Sequence, residues 1–99
     1  RDIYLFALDS DDRYLVQGAV PGHVGHRIHD LPRISAAHAD AFIVAARAAA
    51  AEGGGWIDYQ AIDADTGLDL QKTAWIAPLD QEAFIGAGVH RSVPAAVHP

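Results

Sequence analysis

"GWIDYQAIDADTGLDLQKTAWIAPL", residues 55–79, holds two runs rich in aromatic and branched residues, "GWIDYQAI" (Gly55–Ile62) and "LQKTAWIAPL" (Leu70–Leu79). Between them "DADTGLD" supplies the Asp, Thr and Gly residues that bend a chain back on itself, so the stretch predicts an antiparallel hairpin. Upstream, the alanine-rich segment from Ala36 to Ala51 has high helix propensity. Ser35 stands at its start as an N-cap and Gly53 at its end as a stop, and Phe42, Ala46 and Ala49 mark one apolar stripe. Downstream, "EAFIGAGVH" (Glu82–His90) reads as a further strand. Its Gly86 and Gly88, two apart on one face, suggest close approach of another backbone or a ligand. At the other end "IYLFALD" (Ile3–Asp9), the turn "SDD" and "RYLVQGA" (Arg13–Ala19) predict an opening hairpin. The order strand, strand, helix, strand, strand, strand defines an α+β domain on one antiparallel sheet.

A chain of 99 residues with 51% hydrophobic and 20% charged residues is one globular domain with a small core. Its net charge of -6 repels phosphate backbones and anionic head groups, which argues against a nucleic-acid partner. With no cysteine there are no disulfides and no thiolate metal sites. No apolar run reaches the length of a membrane helix, about 18 residues. Because Arg1 leads straight into a strand, the chain is expected to belong to a longer parent protein.

"GGGWIDYQAIDADTG", "KTAWIAPL" and "FIGAGVH" together resemble the single Cache domain, the extracytoplasmic sensor module of bacterial chemoreceptors and sensor kinases. "IYLFALDSDDRYLVQG" is similar to that family's opening hairpin, "VPGHVGHRIHDL" to its following loop, and "AFIVAARAAAAEGGG" to its helix. The likeness covers about Ile3 to Arg91, so residues 1–91 are expected to form the sensor domain and 92–99 a C-terminal tail. The resemblance implies a PAS-like five-stranded antiparallel sheet, with a helix and a loop covering one face over a small-molecule pocket. It also implies a small organic acid as ligand, no cofactor, a membrane-anchored parent chain, and a periplasmic or secreted location. The family's long N-terminal helix, which packs on the other sheet face, is missing from this sequence. An uncovered sheet face then predicts self-association, as a homodimer or through a swapped element. Trp75 and His90 stand where the family often has Tyr, and Gln17 where it often has His.

Several residues carry chemistry of their own. His23, His26 and His29 recur every third residue in "HVGHRIHD", with Asp30 adjacent, which invites a zinc reading. That spacing converges only on a helical turn, and Pro21, Gly22 and Gly25 oppose one, so no stoichiometric metal site is expected. Val24 and Ile28 are the expected packing positions of this loop, and His29 is retained as a residue lining a ligand pocket. Lys72, the only lysine, is either a local cation for an anionic ligand or a solvated outer residue, and strand register decides which. Tyr59 and Trp75 sit on the two arms of one hairpin and are expected either to face each other as an aromatic wall or to enter the core. Tyr4 and Phe6 share a face of the first strand, while Asp58 points opposite to Tyr59. The ligand set is thus Tyr4, Phe6, His29, Tyr59, Lys72 and Trp75. Paired carboxylates, a phosphate loop and a nucleophile elbow are all missing, so the chain is not read as an enzyme. A cytosolic PAS-like interaction module and a His-based metal protein are the alternative readings.

Overall fold

The computed structural model describes residues 3–31, 35–62, 67–80 and 82–89. The turn at 63–66, His90 and the tail at 92–99 lie outside them. Five strands, β1 (Ile3–Leu8), β2 (Tyr14–Gln17), β3 (Gly55–Ile62), β4 (Asp69–Pro78) and β5 (Phe84–Val89), and one helix, α1 (Ala36–Ala51), follow the expected order. Every strand pairing is antiparallel, and the sheet order is β2-β1-β5-β4-β3. The PAS-like five-stranded sheet with a covering helix is present. Among the described residues no helix is long and apolar enough to cross a membrane.

Local chemistry sets the ends of α1. The Ser35 hydroxyl accepts from the His38 amide at 3.0 Å, satisfying one of the helix's first unpaired donors. At the other end Gly53 (φ 91°) donates to Ala50 and Gly54 donates to Ala49, the paired bonds of a Schellman stop. The β1–β2 turn is closed by Asp9, whose Oδ1 accepts from the amides of Asp11 (2.8 Å) and Arg13 (3.0 Å). The second arm of this hairpin carries a bulge opposite Ala7/Leu8 and ends at Gln17, shorter than the run Arg13–Ala19, where the Gln17 side chain accepts from the Ala19 amide at 3.0 Å and turns the chain.

The helix covers one sheet face. Phe6 and Leu8 of β1, Ile57 of β3, Ala74 and Ile76 of β4 and Phe84 of β5 meet Ala39, Phe42 and Ala46 of α1 in one buried cluster, closed from the loop side by Ile28 and Leu31. Gly86 and Gly88 make room for aromatic rings from the neighbouring strand, rather than for a backbone or a ligand. A Cβ on Gly86 would overlap the end of the Phe6 ring, and one on Gly88 would sit 2.6 Å from Tyr4 Cζ.

The opposite face lacks such a cover among the described residues. Ile3, Leu5, Val16, Trp56 and Trp75 are all exposed there, with the two indoles packed edge to face at 5.3 Å. Asp58 also lies on this side, where its carboxylate accepts from the Thr73 hydroxyl at 2.7 Å.

Candidate functional site

Antiparallel register arranges inner-face residues in rows across the sheet. One row runs Tyr4, Gly88, Ala74, Ile57, and beside it Lys72 pairs with Tyr59. The two middle positions of the first row are small, and the Tyr4 ring occupies the space over Gly88. Over them Tyr4 of β1 and Tyr59 of β3 bring their hydroxyls to 2.7 Å. Phe6 and Phe42 pack beside this pair: Tyr4 packs on Phe6 at 6.0 Å, and Phe42 on Tyr59 at 4.8 Å and on Phe6 at 5.6 Å. The Lys72 ammonium lies 5.5 Å from the centre of the Tyr4 ring, within cation–π range. Of the six ligand-set residues, Tyr4, Phe6, Tyr59 and Lys72 are therefore brought together on the helix-covered face.

Trp75 is not among them. Tyr59 pairs with Lys72, whereas Trp75 pairs with Trp56. Tyr59 and Trp75 are three positions out of register, and alternation puts them on opposite faces. The aromatic wall expected from these two residues does not form, and Trp75 is 43% exposed on the outer face. His29 is also occupied elsewhere, its Nε2 lying 2.7 Å from Asp40 Oδ1 and so joining the loop to α1.

The histidine loop forms two separate 3-10 turns, Pro21–His23 and Ile28–Asp30. His23 lies in the first, its ring 6.4 Å from that of Tyr14, and His29 in the second. Among the described residues no group of three or more His, Cys, Asp or Glu side chains converges on one point. Ile28 packs into the core as expected, but Val24 is 47% exposed.

Burial sets the electrostatics of this cluster. It raises the Tyr4 hydroxyl above the ordinary tyrosine value, against a smaller opposing effect of the bond to Tyr59. Tyr59 is raised strongly, by burial first and then by the neighbouring Tyr4. Tyr14, beneath the histidine loop, is pushed up to about 12, again chiefly by burial. These are the chain's 3 tyrosines. Each binds its proton more tightly folded than unfolded, so stability is fully present below pH 10 and falls as pH rises towards and past the folded values. Phenolate absorbance is accordingly expected to stay low at pH 10 and to appear together with unfolding. An intact fold with all three tyrosines half ionised at pH 10 would refute this. At neutral pH the Tyr4 and Tyr59 hydroxyls are therefore uncharged, and with Lys72 they form a donor set suited to a carboxylate.

Sequence reasoning missed Arg47. From the middle of the polar-poor helix its guanidinium donates to the Asp9 carbonyl (2.9 Å), the Glu82 carbonyl (2.7 Å) and Asp12 Oδ1 (2.5 Å), and it lies 5.3 Å over the Phe84 ring. It borders an open cavity of 340 Å³, also lined by Ser10, Asp80 and Glu82, at the opposite end of the sheet from Tyr4 and Tyr59. The only signal in the sequence was one arginine in a run of alanines.

No family model matches the chain, and no curated protein matches it.

Proposed function

We propose that the domain is an extracytoplasmic ligand-binding sensor domain of a bacterial signal-transduction protein, of the chemoreceptor or sensor-kinase type, and that it takes a small organic acid. The observation that carries the reading is the convergence of Tyr4, Tyr59 and Lys72 beside Phe6 and Phe42. A short monocarboxylate, of about two to four carbons, buries little apolar area, so its affinity comes mainly from charge-assisted hydrogen bonds, about twice as strong as neutral ones. Lys72 and Tyr59 hold the carboxylate in this reading, while Phe6 contacts the alkyl part. The single lysine also offsets the field of a chain with net charge -6, which otherwise disfavours an anion. The ligand signals only by preferring one of two arrangements, and the helix packed on Tyr59 through Phe42 is the element placed to register that preference.

A panel of small monocarboxylates tests the proposal by thermal shift. A ligand at about 100 times its Kd stabilises the fold by about 2.7 kcal/mol, a rise of several degrees for a domain of this size. Lys72→Ala is expected to abolish the rise and leave the unliganded domain folded. A panel with no effect on the wild type, or an unchanged shift in Lys72→Ala, would remove the organic-acid reading.

A second reading, an interaction module, is favoured by the apolar outer face that carries Ile3, Leu5, Trp56 and Trp75. It predicts that Trp56→Ser with Trp75→Ser abolishes partner binding and leaves any acid-induced shift intact.

A further inference from the structure

The sheet treats its two edges differently. β2 is 4 residues long and bulged, and the loop that follows it runs back along it. There the Tyr14 amide donates to the His26 carbonyl at 3.0 Å, the Gly25 amide donates to the Tyr14 carbonyl at 2.8 Å, and Arg13 bridges Arg27. Shortness, a bulge and a covering loop are the devices by which proteins prevent strand addition.

β3, the other edge, shows none of them among the described residues. It runs for 8 residues, a length of about 26 Å. Its sequence contains no proline, lysine or arginine, and its pairing is continuous from Gly55 to Ile62 without a register shift. Among the described residues it pairs with β4 and with no other strand. The one charge on it, Asp58, is bonded to Thr73 of β4. Trp56, at 66% exposure, adds an apolar side chain beside the open edge.

We infer that β3 is a strand-addition edge and that its occupant is a second copy of this chain, joined antiparallel about a two-fold axis. An antiparallel pair of identical strands satisfies both edges at once, which a parallel or heterologous arrangement does not. Charge selects the register. With Asp58 opposite its own copy, two carboxylates would face each other in a protein already carrying -6. Moving the axis to Tyr59 sets Asp58 opposite Gln60 and Ile57 opposite Ala61, and keeps inner-face residues on one continuous face. The inference rests on the edge and stands whether or not the Tyr4–Tyr59 cluster binds an acid.

Sedimentation velocity over roughly a hundredfold concentration range, with hydrogen exchange at both ends, is the test. The expected result is a monomer–dimer equilibrium in which β3 amides exchange more slowly at high concentration. The double variant Asp58→Lys with Gln60→Lys opposes lysines across the axis and is expected to weaken the dimer at least about tenfold. Gln60→Glu, which opposes carboxylates, is expected to do the same. An equimolar mixture of the two variants pairs lysine with carboxylate and is expected to restore the dimer. A monomer throughout, or a dimer whose protection falls on other strands, would overturn the inference. So would β3 amides protected at every concentration, which means that the chain's own residues cover the edge. The exchange measurement on the wild type decides the matter even if a variant fails to fold.

Discussion

Phe84→Ala is expected to cost the fold about 3–5 kcal/mol, at least about a fifth of the whole stability of a typical small domain. Phe84 is 1% exposed and lies where three parts of the molecule meet. It pairs with Leu8 of β1 and Pro78 of β4, it packs on the Phe42 ring of the helix at 6.2 Å, and the Arg47 guanidinium covers its face. Removing the ring leaves a cavity bounded by paired strands and a capped helix, none of which can collapse without breaking backbone bonds. The melting temperature should fall by about 12 °C or more. Val44→Ala, on the same helix but 70% exposed, should change stability by no more than about 0.5 kcal/mol. Denaturant unfolding of the two variants is the measurement. A loss below about 1 kcal/mol for Phe84→Ala would mean that the helix does not pack on the sheet as described.

Arg47→Ala is expected to cost about 2–3 kcal/mol, from lost bonds to a carboxylate and two carbonyls and from the polar atoms left behind. The figure is set below that of a fully buried pair because the Arg47 side chain is 33% exposed and partly screened. Its guanidinium joins three separate elements: α1, the β1–β2 turn through Asp9 and Asp12, and the β4–β5 turn through Glu82. Asp12 adopts φ 63°, an unfavourable conformation for a non-glycine residue, and its carboxylate is held by Arg47. Arg47→Lys is expected to recover less than half of the loss, because one ammonium cannot reach three acceptors arranged for a planar fork. Faster amide exchange in both turns would accompany the loss. Full rescue by lysine would show that only the charge matters.

The secondary structure of the chain was largely legible because its signals are local. Ser35, the alanine run and Gly53 place the helix at Ala36–Ala51, and β3 occupies the run Gly55–Ile62. β4 begins and ends one residue before the expected Leu70–Leu79, and β5 starts at Phe84 rather than Glu82, because Asp80 Oδ1 accepts the Glu82 and Ala83 amides and holds them in a turn. Tyr4 and Phe6 were legible as sharing a face because alternation along one strand predicts it, whereas which of Tyr59, Lys72 and Trp75 join them depends on register between strands. The face itself was not legible. "KTAWIA" alternates Lys72, Ala74 and Ile76 with Thr73, Trp75 and Ala77, and hydrophobicity alone favours burying the tryptophan. The structure buries Ala74 and Ile76 and exposes Trp75. Only the pairing of Tyr59 with Lys72 resolves the choice, and that depends on how many residues the turn consumes.

Propensity, capping and turn chemistry act within a few residues, so the order and kind of the elements, the helix ends and the glycine positions of β5 are all local properties of the chain. Which side chains meet across strands is not local: the Tyr4–Tyr59 hydroxyl pair, the ring-filled space over Gly86 and Gly88, the Arg47 clamp and the unequal edges of the sheet all come from the assembled fold. These contacts join residues as distant in the chain as Tyr4 and Gly88. Their geometry is set by sheet order and register, which arise from packing the whole chain at once and leave no local mark on the sequence.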